Sequence, residues 1–173
     1  MIVTLILLVV IAIPLYYVVR TTTPASIKNI SEQTGSAEWT IEVTGNVNNP
    51  INLTLSQFEA LPSLNTQSTL RSSSNPQLDG TWNFTGIVLW SLLEKAGISG
   101  NASTIDVQGS DGYISYFTVQ EVKQNSQILL AYEQNGAPIQ TQAEGGNGPI
   151  WLVVGSDYYA IRWVKYVVLI DVS

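Results

Sequence analysis

The chain has 173 residues, 45% of them hydrophobic and only 12% charged, with a formal net charge of −6. That length suffices for one well-buried core and hardly two, and an acidic surface repels phosphate backbones and anionic lipid alike, which argues against nucleic acid as a partner. Cysteine and histidine are both absent, which excludes disulfides, thiolate nucleophiles, Ser-His-Asp triads and zinc or iron sites built on Cys or His.

Residues 2–19, IVTLILLVVIAIPLYYVV, carry no charge, and a stretch of that length is roughly the minimum that spans a hydrocarbon core. Pro14 and the Tyr16-Tyr17 pair suit an interfacial end. We expect an N-terminal membrane anchor over residues 1–20. A cleaved signal peptide is the rival, although the segment lacks a basic n-region and a clear Ala-x-Ala site. Arg20 alone weakly favours an inside orientation for the residues C-terminal to it. Against it stand four Asn-x-Ser/Thr sequons, at Asn29, Asn52, Asn83 and Asn101, a mild excess over chance. Together with the charge-poor polar surface they favour a folded domain outside the cytoplasm. Residues 21–37 have no apolar period and read as a polar stalk, leaving 38–173 as the folded domain.

Trp39, Ile41 and Val43 alternate with Thr40, Glu42 and Thr44, the pattern of a half-buried strand. Ile51 to Leu55 predict a second short strand. Ser56-x-x-Glu59 has the spacing of a capping box for a one-turn helix, with Phe58 and Leu61 as its apolar side and Pro62 as its end. Gln67 to Arg71 read as a strand running into the polar loop Ser72-Ser73-Ser74-Asn75-Pro76. The stretch from Trp82 to Tyr113 organises the domain. It holds a short Trp/Phe run, a Thr-Gly break and a helix whose Leu89, Leu92, Leu93 and Ala96 repeat at i, i+3, i+4 and i+7. Gly97 then stops the helix, a β-branched strand covers Thr104 to Val107, and Ser110-Asp111-Gly112 turns the chain.

Tyr113 to Thr118 predict the next strand, and Thr118-x-x-Glu121 a second capping box. Ile128–Glu133 and Ala137–Gln140 flank Asn135-Gly136, a strong hairpin signal. Thr141 to Gly148 is a Gly-rich loop, and Ile150–Val154 and Ala160–Ile170 close the domain as strands. The last would alternate Ile161, Trp163, Lys165 and Val167 on one face with Arg162, Val164, Tyr166 and Val168 on the other. Many short strands and few short helices make a β-rich α+β domain.

In its simplest reading, Arg162 and Lys165 are a solvated or ion-paired edge, and Asp111 bonds its own turn backbone. Trp151 and the Tyr158-Tyr159 pair lie near loops and are candidates for lining a ligand or partner groove. The carboxylates Asp106, Asp111, Glu133, Glu144 and Asp157 lack the spacing of a calcium loop.

The order of these signals is similar to the sulfite-oxidase-like family, the oxidoreductase molybdopterin-binding domain. The resemblance runs from Trp39 to Val172 through WTIEVTGNVNNPINLTLSQFEALP, FTGIVLWSLLEKAGI, DGY at 111–113, ILLAYEQNGAPI, GGNGPIWLVV and RWVKYVVLIDV. It implies a mixed, β-rich fold that holds a pterin-dithiolene molybdenum cofactor and performs two-electron oxygen-atom chemistry. It also implies a metal-anchoring cysteine in the loop after the Gln67–Arg71 strand, where this chain has Ser72. Trp151 stands where members tend to carry an Arg, and Gln142, Ala143 and Glu144 where they often offer a His. The family's Lys-Trp-Val-Lys motif reads Arg162-Trp163-Val164-Lys165.

The resemblance therefore points to Arg71, Ser72, Asp111, Tyr113, Arg162 and Lys165 as cofactor-contacting positions. A phosphate-bearing pterin needs cations or helix N-termini around it, and Arg71, Arg162 and Lys165 are the cations available. Without the cysteine, the expectation is a domain of this fold with no normal molybdenum centre. It would serve as a ligand- or partner-binding module, with a membrane-complex protein as the expected kind of partner. No cofactor is the first expectation and molybdopterin the second. Two alternatives stay open: a molybdopterin- or tungstopterin-dependent oxidoreductase with a non-cysteine metal ligand, and a structural surface or pilus-like subunit.

Overall fold

The computed structural model describes residues 38–173. Ten strands run in the order β1 (Thr40–Gly45), β2 (Ile51–Thr54), β3 (Leu64–Leu70), β4 (Gly80–Val88), β5 (Thr104–Gly109), β6 (Ile114–Thr118), β7 (Ile128–Gln134), β8 (Ala137–Pro138), β9 (Trp151–Val154) and β10 (Val167–Val172). Three helices intervene: α1 (Leu55–Glu59) after β2, α2 (Leu89–Ala96) after β4, and α3 (Val119–Gln124) after β6. One sheet has the order β2-β1-β10-β5-β6, antiparallel except for the parallel pair β1 and β10. The other is antiparallel, β3-β4-β7, with β8 and β9 sharing the far side of β7. This is the β-rich α+β architecture expected. The expected anchor and stalk lie outside the described residues, among which no helix is long and apolar enough to cross a membrane.

The patterning explains the elements. Ile41 and Val43 of β1 are fully buried while Thr40 and Glu42 face out, as a period of two requires. In α2 the buried residues are Leu89, Leu92, Leu93 and Ala96, and Gly97 follows in the left-handed conformation at φ 68°, which a Cβ would oppose. Asn135 and Gly136 both have positive φ, 54° and 77°, and form the tight turn joining β7 to β8. Phe84, fully buried, packs edge-on against Trp151 and Trp163 with centroids 5.7 and 5.8 Å away.

Several expectations need correction. The Trp/Phe run with its Thr-Gly break is one nine-residue strand, β4, and the break is a bulge between Thr85 and Gly86 against β7. There a Cβ on Gly86 would meet the Leu130 carbonyl oxygen at 2.3 Å, so only glycine lets β7 approach. The first helix is capped by Thr54 and Gln57, not Ser56 and Glu59. The segment 160–170 is not one strand. Ala160–Arg162 form a 3₁₀ turn, Val164 makes an isolated bridge to Leu152, and Tyr166 is left-handed at φ 56°. Regular pairing begins only at Val167, because a left-handed residue cannot continue a ladder.

Candidate functional site

Where β3 ends, the chain leaves the sheet through Leu70, Arg71 and Ser72. This exit, the start of β4, the start of β9 and the segment before β10 surround a cleft of about 480 Å³, a volume in the range of small-molecule sites. Its walls include Trp82 and Trp151, its polar lining includes Gln134 and Asn147, and its cations are Arg71 and Lys165.

Each cation is positioned by backbone. The Arg71 carbonyl accepts from Ala160 N–H at 2.9 Å, which fastens the 155–160 loop to the end of β3. The Arg71 guanidinium sits over the Tyr158 ring, 5.0 Å from its centroid, a favourable cation–π geometry. Lys165 precedes the left-handed Tyr166, whose conformation costs about 1–2 kcal/mol for a residue with a Cβ. Tyr166 is held there from three sides. Its N–H donates to Asn147 O at 3.1 Å, its hydroxyl donates to Gly146 O at 3.0 Å, and its carbonyl accepts from Ser110 N at 2.9 Å. Strain fixed this firmly beside a cleft is a common feature of functional sites. Among the described residues the ion pairs all belong to Arg162, so Arg71 and Lys165 face the cleft with no carboxylate partner. The one acidic group in the lining, Asp79, accepts the Ser72 backbone N–H at 2.7 Å.

Ser72 itself organises the loop. Its hydroxyl oxygen accepts from Asn75 N at 3.0 Å and from Ser74 N at 3.4 Å, the geometry of a serine-closed turn. Trp151 is 3% exposed, and its indole N–H is a buried donor with no acceptor among the described residues. Such groups are rare in folded proteins because desolvating a donor without a partner is unfavourable.

The remaining positions singled out from sequence lie outside the cleft lining. Arg162 reaches Asp157 through two hydrogen bonds of 2.8 and 2.6 Å and Glu121 through one of 2.7 Å, while stacking on Phe117. The Asp157 carboxylate, aided by Glu121 against partial burial, holds its guanidinium above the ordinary range. The edge position is thus ion-paired and ties the 3₁₀ turn to α3. Asp111 Oδ1 accepts Tyr113 N–H at 3.1 Å, a bond within its own turn. The Tyr113 hydroxyl donates to Ile161 O, so it braces a residue of the cleft wall without lining the cleft. Sequence reasoning singled out neither Trp82, Gln134, Asn147 nor Asp79. They are brought together by the β3–β4–β7 pairing and by the 141–148 loop, which no local pattern encodes.

A pterin-molybdenum cofactor fits this site in part. Two cations with no carboxylate partner among the described residues, and flat indole walls, suit a phosphate-bearing heterocycle. The metal end does not fit. The chain has no thiolate, and among the described residues no three Asp, Glu, His or Cys side chains converge.

Comparison with known proteins agrees with the fold. No curated protein matches the chain. Among solved structures the fold is similar to the sulfane dehydrogenase SoxCD from Paracoccus pantotrophus, with a TM-score of 0.67 and 20% identity, over 78% of this chain and 38% of that one. This chain therefore corresponds to well under half of that protein. The family model for the oxidoreductase molybdopterin binding domain matches residues 26–173, beginning within the segment read as a stalk. With nearly the whole chain matched, this protein belongs to the oxidoreductase molybdopterin binding domain family.

Proposed function

We propose that this protein is a membrane-anchored, extracytoplasmic binding module of the molybdopterin-binding fold, which takes an anionic ligand in the Arg71–Lys165 cleft without a molybdenum centre. One observation carries the reading: two cations with no carboxylate partner among the described residues share a cleft in which the expected metal-ligand position is a serine and not a thiolate. A metal-bound serine oxygen would have to give up its proton, and among the described residues the Ser72 hydroxyl is bonded only to loop N–H groups, with no carboxylate or amine in hydrogen bond to take that proton; a neutral hydroxyl is a poor substitute for a thiolate ligand. The charge-free segment at residues 2–19 and the sequons support the location.

The second reading, an oxidoreductase with a non-cysteine metal ligand, draws on the shared placement of Arg71, Ser72 and Lys165 on one cleft. Expression of the wild type and Ser72→Cys in a host that makes molybdopterin separates the two. The binding-module reading expects far less than one molybdenum per wild-type chain, with or without bound pterin. Stoichiometric metal on the wild type would establish the second reading instead.

A further inference from the structure

The sheet containing β3 leaves one of its margins open. β3 pairs with β4 along all seven of its residues, Leu64 against Gly86 through Leu70 against Gly80, without a bulge. Among the described residues no strand pairs with its other side. Proteins ordinarily guard such an edge with lysine, proline, a bulge or brevity. The other outer strands are shorter: β2 has four residues and follows Pro50, β8 has two and includes Pro138, β9 has four and β6 has five. β3 is the longest outer strand and, reading LNTQSTL, has none of these guards.

We propose that β3 is an interface between two copies of this chain, paired antiparallel about a two-fold axis through Gln67. The sequence is self-complementary in that register. Leu64 would face Leu70 of the second copy, Asn65 would face Thr69, Thr66 would face Ser68, and Gln67 would meet itself. Asn65 and Thr69 lie on one face of the strand, hydrogen-bonded to Thr85 and Thr81 of β4. Gln67 shares that face, because side chains alternate. A Gln-Gln pair flanked by Asn-Thr pairs is a hydrogen-bonding ladder that two identical strands can share. On the other face, Leu64 is 40% exposed, one of few large apolar side chains left in solvent. The second copy's Leu70 would cover it.

Charge does not oppose this pairing. The chain carries a net −6, so most surfaces of two copies repel, whereas β3 has no ionisable side chain to oppose its own image. The Arg71-Ser72 exit follows β3 directly, so the pairing would place a cleft at each end of the shared strands.

The absence of native cysteine makes a clean test. Gln67→Cys in the full-length protein, in detergent or nanodiscs under mild oxidation, should give a disulfide-linked dimer, because opposed residues in antiparallel pairs approach within disulfide range. Thr81→Cys, exposed on the neighbouring strand β4, is the control and should cross-link at least tenfold less. The unmodified protein should be dimeric by native mass spectrometry, and Gln67→Lys, which opposes two ammonium groups, should shift it toward monomer. A monomeric wild type, or equal cross-linking from positions 67 and 81, would overturn the proposal. So would slow amide exchange across β3 in a monomer, which would mean that another segment of the same chain covers the edge.

Discussion

Replacing Phe84 by leucine tests how the core supports the cleft. Phe84 is fully buried and meets Trp151 and Trp163 edge-on, and those indoles meet each other at 5.3 Å. Trp151 also forms part of the cleft wall. Phe84→Leu keeps an apolar side chain but removes two aromatic pairs, each contributing about 0.5–1.5 kcal/mol beyond area burial. The smaller side chain leaves roughly 20–30 Å³ of space, or about 0.6 kcal/mol at ~24 cal/mol per Å³. The sum is a loss of about 2–3 kcal/mol, corresponding to a fall in Tm of roughly 6–12 °C for a domain of this size. Thermal and urea unfolding of the variant, with an unchanged m-value, would measure it. A loss below about 0.5 kcal/mol would refute the view that the aromatic trio is a tightly packed unit.

Other parts of the structure yield three further expected outcomes. Gly86→Ala should be strongly destabilising, by about 3 kcal/mol or more, because its Cβ would strike the backbone of Leu130 and Ala131; unfolding near wild-type conditions would contradict the bulge geometry. Arg162→Met should destabilise by about 1–3 kcal/mol, less than a fully buried pair because the guanidinium is about one-third exposed; an unchanged melting point would show that the Asp157–Arg162–Glu121 triad does not tie the 3₁₀ turn to α3. Asp106 lies directly opposite Asp171 across β5 and β10, and burial, then Asp171, raises its pKa. A raised carboxyl pKa contributes stability that is present below the unfolded value and is lost as pH rises through the folded one. Asp106→Asn should therefore stabilise the protein modestly at pH 7 and have no such benefit at pH 3, and equal effects at both pH values would refute a carboxyl pKa raised by burial and by Asp171.

The helix over Leu89–Ala96, the half-buried β1 and the Asn-Gly hairpin were legible because each is a local pattern: a 3.6-residue stripe, a strict alternation and two positive φ angles. The final segment was not. Its apolar-polar alternation from Ile161 to Val168 mimics a strand, yet Arg162 is drawn out by Asp157 and Glu121, and Tyr166 is turned left-handed by Asn147, Gly146 and Ser110. Those partners lie between 5 and 56 residues away in sequence. The cleft was half legible. Arg71, Ser72 and Lys165 came from the family resemblance. Trp82, Gln134 and Asn147 join them only through cross-strand register and loop packing, which a reading of single stretches does not reach.

A family member with an anion cleft and no metal centre should carry little metal. The measurement that tests it most directly is the metal and pterin content of the full-length protein purified from its native source, by elemental mass spectrometry and pterin fluorescence. Molybdenum and tungsten should both fall far below one atom per chain, whether or not pterin is found. Close to one atom of either metal per chain would contradict this expectation and make the Ser72 hydroxyl the first group to re-examine.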